Sequence, residues 1–340
     1  MKSMHVATTT RLPNYLRSRP PYIAKLELVF ILWLTSEAVK KALCDFPTKI
    51  KCKTMTVIDT HIHIHEPDVP NHRLVRRLMP DVIKEIIRPE GVDGVIVVEA
   101  RQDISENDWV LELSETEPLI AGYVGTLDVY SENFSRDLAH YATNPVFSGI
   151  RIHTLSHSGH ARENIILGNM GQLQTAQRSL DLHLDYWTLP LVDHIVHVAP
   201  ELPLVANHMG QVPLATRSIN SEWINNIQRF AQHPRAFMKV SALLQMVYRQ
   251  PSPWSRSFTE KRAILPPHDP EYYRAAIDVV WNAFGEDRLL YASNWPQIEH
   301  VGDYSDEIAI TKTYFERMGS DIADKFYFSN AKSVYHMATR

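Results

Sequence analysis

Eight short strand-like runs, each followed by a helical pattern or a long loop, constrain this chain more than any other feature. They cover residues 57–66, 95–100, 120–129, 147–153, 182–187, a strand within 202–209, 236–243 and 287–296. Helical spacing or helix-favouring composition follows at 71–88, 109–114, 133–142, 170–179, 191–199, 222–232 and 271–284, and two further helices close the chain. Alternating strand and helix implies a parallel sheet flanked by helices. Eight repeats imply closure into an α/β fold of the (β/α)8 TIM-barrel type, in which working residues lie at the C-terminal ends of the strands. An open doubly wound sheet is the alternative. The polar residues that fall at those ends are His61, His63, Glu99, Arg151, His153, His208 and Asn294.

The first run, Val-Ile-Asp-Thr-His-Ile-His-Ile-His-Glu-Pro at 57–67, alternates polar and apolar positions. Side chains on a strand alternate between two faces. Asp59, His61, His63 and His65 are therefore expected on one face, with Ile58, Ile62 and Ile64 on the other. Buried polar groups without partners cost about 1–3 kcal/mol each, so three histidines so close together need a metal, a substrate or a proton to serve.

Composition narrows the function classes. Residues 1–54 carry a charge balance of +7 and the remaining residues one of −11, and an acidic main body argues against a nucleic-acid-binding surface. Cys44 and Cys52 both lie before residue 55, which leaves the main body no disulfide, thiolate ligand or cysteine nucleophile. The glycines form no nucleotide-binding pattern. Residues 1–54 read as an N-terminal extension, dispensable to a main domain at 55–340, with translation from Met55 as one explanation. An organelle presequence and a membrane or partner helix are the other readings, although the apolar run near residue 30 is too short to span a bilayer. The expected location is cytoplasmic, with mitochondrial as the alternative.

The main body resembles the amidohydrolase superfamily, and within it the branch of sugar-acid lactonases and dicarboxypyrone lactonase. The resemblance rests on Ile-Asp-Thr-His-Ile-His at 58–63, Asn-Asp-Trp-Val-Leu-Glu-Leu at 107–113, Gly-Tyr-Val-Gly at 122–125, Gly-Ile-Arg at 149–151, Asn-His-Met-Gly at 207–210, Lys-Val-Ser at 239–241, Phe-Gly-Glu-Asp-Arg at 284–288 and Ser-Asn-Trp-Pro at 293–296. The closing Asn-Ala-Lys-Ser-Val-Tyr at 330–335 also fits. It implies hydrolysis of a lactone or other cyclic ester, on a small and often carboxylated substrate. Two positions depart from the family pattern. Asn207 stands where the pattern has Asp, and Asn294 stands where it has the aspartate that serves as metal ligand and general base. An amide has no carboxylate to accept a proton.

His61 and His63 aim two imidazoles at one point, and His208 makes a third. Zinc needs three protein ligands and an open position, so these three are the candidate ligands for Zn2+, with metal-independent action the alternative. His208, with a reference pKa near 6.5, suits carbonyl polarisation or proton transfer. Arg151 can hold a substrate carboxylate through two hydrogen bonds, or pair with Glu99 inside the barrel, or both. Glu99, His153 and Trp295 are further candidate substrate contacts, and Asn294 a candidate catalytic group. Lys239, Ser241 and Asp185 stay ambiguous between substrate contact and internal ion pairing. The loop around Trp254, with Tyr272 and Tyr273, is expected to cover the site as a lid. Two other functions compete: a lyase such as a decarboxylase on the same fold, and a degenerate barrel that binds a ligand without turnover. Substrate identity and oligomeric state do not follow from the sequence.

Overall fold

The computed structural model describes residues 55–66, 77–152, 160–184, 189–215, 218–247 and 266–337. The extension at 1–54 lies outside these residues, as do His153, Asp185 and Trp254.

Eight parallel strands run in sequence order: β1 (Ile58–Ile62), β2 (Gly94–Val98), β3 (Ile120–Gly125), β4 (Phe147–Ile152), β5 (Ser179–Leu182), β6 (Leu204–Ala206), β7 (Ala236–Val240) and β8 (Leu289–Tyr291). The ends of the sheet meet. Ile62 bridges Trp295, the Asn294 N–H donates to the His61 carbonyl at 3.0 Å, and the His63 N–H donates to the Trp295 carbonyl at 3.0 Å. The result is the expected (β/α)8 barrel. Among the described residues no helix is long and apolar enough to cross a membrane.

The helices pack their apolar faces on the strands. Helix α1 (Pro80–Ile87) starts on a proline, which lacks the N–H a first turn would leave unused, and buries Ile83 and Ile87. Helix α2 (Ser105–Thr116) begins four residues before the expected 109–114 segment. The Asp103 carboxylate accepts the Ser105 N–H at 2.9 Å, while Glu106 and Asn107 are already helical and buried. The outer hydrophobic layer is a single large cluster that includes Val95, Val97, Ile150, Leu180, Met238 and Tyr291.

The barrel interior differs from that layer. Ile58, Ile96, Val124, Val205, Phe237 and Leu290 form an inner cluster, closed by Ala331, Val334, Tyr335 and Met337. A C-terminal helix, Asn330–Tyr335, thus plugs the end of the barrel where the strands begin. Above that plug the interior turns polar, with Arg151, Asp181 and Lys239 all buried. Gly149 allows the close approach of β4 and β5 there. A Cβ at Gly149 would lie 2.1 Å from the Ser179 Oγ.

Strict alternation along β1 does not hold. Its register against β2 shifts between Asp59 and Ile62. Ile58 joins the inner cluster and Ile62 the outer one. Asp59 leaves the histidine face: its carboxylate accepts from Tyr304 Oη at 2.9 Å and from the Ser293 N–H at 3.0 Å. Burial pushes the Asp59 carboxyl above its ordinary range against the pull of these bonds.

Candidate active site

His61 is fully buried at the end of β1. Its ring centroid lies 5.0 Å from that of His63 and 4.6 Å from that of His208. The three histidines expected to converge do converge. Each ring is steered from behind. The His63 Nδ1–H donates to the Val98 carbonyl at 2.9 Å, and the His208 Nδ1 meets the Ser241 hydroxyl at 2.8 Å. The His61 Nδ1 faces the Lys239 ammonium at 3.4 Å. Its Nε2 is buried with no hydrogen-bond partner among the described residues. Burial first, then the charges of Lys239 and Arg151 and the neighbouring rings, hold the His61 pKa well below its ordinary value, so the ring is neutral.

His208 opens a turn with an unusual backbone. His208, Met209, Gly210 and Gln211 have φ of 54°, 50°, 59° and 62°, one turn of left-handed helix. Non-glycine residues avoid this region because Cβ crowds the following carbonyl. The turn is held by its packing: Met209 is buried, and its carbonyl accepts from Trp223 Nε1 at 2.8 Å. Backbone strain of this kind clusters at sites where it positions working groups. Here it places His208 and Gln211 around a fourth histidine, His183, whose ring lies 5.7 Å from that of His208.

Arg151 donates to His183 Nε2 at 2.6 Å and lies 3.6 Å from the Glu99 carboxylate, with all three groups at the barrel mouth. The Gln211 amide nitrogen lies against the other ring nitrogen, His183 Nδ1, so the ring is held from both sides. Arg151 therefore has the internal ion pair expected of it, and its Nε is still without a partner. Glu99 also accepts the Gln102 N–H at 3.0 Å.

Asn294, with φ of 66°, donates from Nδ2 to Gln245 Oε1 at 2.7 Å. Gln245 is itself fixed by donating to the Gln297 carbonyl at 2.9 Å. Asn207 is completely buried, and among the described residues neither its Oδ1 nor its Nδ2 has a partner. Trp295 is placed differently from the other candidates. Its backbone serves His63, but its indole packs in the outer cluster and donates to Glu299 at 2.7 Å. Of the expected lid, the loop around Trp254 lies outside the described residues; Tyr273 is fully buried and donates to the Pro267 carbonyl, and Tyr272 donates to that of Leu214.

Residues 58–337 match the amidohydrolase family over nearly the whole main body. The chain belongs to that family. An L-fucono-1,5-lactonase of Burkholderia ambifaria is 22% identical over 294 residues, covering 82% of this chain and 95% of that protein. Among solved structures, an amidohydrolase from Burkholderia multivorans with bound zinc superposes with a TM-score of 0.71 at 20% identity, over 83% of this chain and all of that one. A putative 2-pyrone-4,6-dicarboxylic acid hydrolase from Pseudomonas putida gives a TM-score of 0.65 at 16% identity, over 84% of this chain and 99% of that one.

Many amidohydrolases hold a metal, and this donor set can be tested for one. The nearest candidates are three imidazoles, with an amide where a carboxylate would neutralise the ion. The buried cations Lys239 and Arg151 already balance the buried anions Asp181 and Glu99. A divalent ion would add two uncompensated charges to a site that desolvates them, which is strongly unfavourable. Among the described residues no three His, Cys, Asp or Glu side chains form a metal-holding group. The cluster as built does not fit a tightly held cation.

Sequence reasoning did not single out His183, Gln211 and Gln245, and it left Lys239 and Ser241 unassigned. The signal for His183 was present. With β5 at Ser179–Leu182 rather than 182–187, Asp181 and His183 alternate into the barrel together.

Proposed function

We propose that the protein hydrolyses a lactone or other cyclic ester of a small anionic substrate. The observation that carries this reading is the convergence of His61, His63 and His208 at the barrel mouth, in a family whose relatives include lactonases. His61 points an otherwise unused Nε2 into the cluster, where it polarises the carbonyl. His208, steadied by Ser241, takes a proton from water. The water oxygen bonds to the carbonyl carbon, the ring C–O bond breaks, and the proton passes to the departing ring oxygen. The product is a hydroxy acid. Asn294 orients water or substrate by hydrogen bonding and does not take the proton. Arg151 holds the substrate carboxylate beside Glu99. The absence of cysteine from residues 55–340 supports an intracellular, cytoplasmic setting.

A panel of lactones, cyclic esters and aromatic acids, read by product mass, tests the reading. Gain of one water from a lactone is expected. Loss of carbon dioxide from an aromatic acid would replace hydrolysis with decarboxylation, and no mass change on any of them would leave a ligand-binding barrel. Arg151→Ala is expected to weaken an anionic lactone by about 1.5–3 kcal/mol more than its neutral analogue, the worth of a charge-assisted contact. Equal losses in the two binding constants would reduce Arg151 to the partner of Glu99.

A further inference from the structure

Most buried ionisable groups of this barrel have evident structural work. Glu307 accepts the Leu243 and Leu244 N–H groups, and Glu106 those of Ala100 and Arg101. Lys239 is different. It is fully buried in the middle of the barrel, where a lysine is costly, and it lies between a structural network and a reacting group. Tyr335, on the helix that plugs the barrel, lies 3.1 Å from Asp181 Oδ2. The same oxygen accepts from Lys239 Nζ at 2.6 Å. Lys239 Nζ in turn lies 3.4 Å from His61 Nδ1.

The direction of that last contact is fixed by chemistry. An ammonium has three protons and no acceptor, so the imidazole nitrogen must accept. A neutral imidazole that accepts at one nitrogen carries its proton on the other. We propose that Lys239 is a positioning residue: through Asp181 and Tyr335 it is held against His61 Nδ1, and it thereby keeps the His61 proton on Nε2. His61 is then a donor, suited to a carbonyl oxygen and unable to lend Nε2 to a metal. His63 has the opposite polarity. It donates from Nδ1 to the Val98 carbonyl, so in the neutral ring Nε2 bears the lone pair. The cluster is an unlike pair of imidazoles, one giving a hydrogen bond and one accepting. The tautomer rests on the ion pair that keeps Lys239 charged against Asp181 and on its contact with His61, not on the lactonase reading. Only the statement of what Nε2–H donates to rests on the lactonase reading.

The test is long-range 1H–15N correlation of the histidine rings in the full-length protein without substrate. The chain has 17 histidines, so the His61 signal is assigned by its loss in His61→Gln. The expected wild-type pattern has the proton on Nε2 and a bare Nδ1. A proton on Nδ1 overturns the proposal whatever the catalytic activity. In Lys239→Met, which keeps much of the bulk, the expected pattern shifts to the other tautomer or to a mixture. With a lactone substrate kcat is expected to fall about 10²-fold, the scale of losing one transition-state donor, with KM little changed. Lys239→Met is also expected to gain zinc by metal analysis. Lys239→Arg, which retains a donor, should keep the wild-type tautomer and covers the case in which the methionine variant does not fold. A Met variant with the wild-type tautomer, or an Arg variant that loses it, overturns the role of Lys239. If the tautomers behave as expected but no lactone is turned over, the fault lies in the lactonase reading and the proposal stands.

Discussion

A single amide at position 294 reshapes what this site can do. Asn294 is not a bare loss of a carboxylate, because its surroundings are built for the amide. Gln245 is pinned by the Gln297 carbonyl and presents Oε1 to Asn294 Nδ2. An aspartate there would place a carboxylate against an amide oxygen in a buried site. Asn294→Asp is therefore expected to lower stability by about 1–3 kcal/mol and to reduce the native activity, as read from denaturant midpoints and initial rates. A variant that is as stable as wild type, binds zinc and turns lactones over faster would mark the asparagine as mere decay. Asn207 has no comparable partners. An amide left unsatisfied in the protein is suited to a substrate hydroxyl, which can give and accept at once.

At the scale of elements, the left-handed turn after β6 carries the most strain for its length. Gly210 has φ of 59°, and a Cβ there would lie 2.8 Å from Ile227 Cδ1. Gly210→Ala is expected to cost about 1–2 kcal/mol from the backbone alone, and to lower kcat, since the turn carries His208 and Gln211. Unchanged melting and unchanged rate together would show that the turn relaxes freely. Such a turn is hard to read in advance, because only one of its four residues is glycine. The strands were legible where their inner face is apolar, as in β2 with Ile96 and Val98. They were misplaced where that face is polar. In β5 the inward residues Ser179 and Asp181 look like a loop, and the apparent strand slides toward Leu184. In β8 only Leu289–Tyr291 is strand, because the chain leaves the sheet to form the turn around Asn294. Several of the matching segments proved architectural. Asn107 ties β3 to α2 by accepting from Tyr123 Oη and the Thr126 N–H, each at 3.1 Å. Arg288 donates to the carbonyls of Ala231, His233, Ala283 and Phe284. The three histidines were legible because two alternate across the end of one strand. The groups behind them, Ser241, Lys239 and Gln245, come from distant segments, and spacing along the chain does not reveal such meetings.

The whole molecule should show its buried acids in a pH titration of stability. Burial, against the pull of backbone donors, raises Glu307 from 4.5 to about 8 and Glu106 from 4.5 to about 7. Between those values the folded protein holds protons that the unfolded chain has released. Stability from these groups is thus fully present below pH 4.5 and is lost as pH rises through about 7 to 8, then levels off. Denaturant midpoints across that range should fall, and Glu307→Gln should flatten part of the slope; a midpoint that rises with pH would contradict the burial argument. The charge shift near residue 55 leads to a second expectation at this scale. A protein beginning at Met55 should fold and keep the activity of the full chain, since every described strand and helix lies beyond that point. Loss of soluble protein on removing residues 1–54 would overturn it.

The plug helix has a consequence for the order in which the molecule comes to life. Synthesis runs from the amino end, so His61 leaves the ribosome among the first residues of the barrel and Tyr335 among the last. Until the segment Asn330–Tyr335 docks, the anion that holds Lys239 lacks its tyrosine and the inner cluster lacks its floor. A nascent barrel can therefore have all its histidines translated and still lack the finished arrangement behind them. In this chain the arrangement behind the histidines is completed from the opposite end of the barrel, by a segment made after all eight strands.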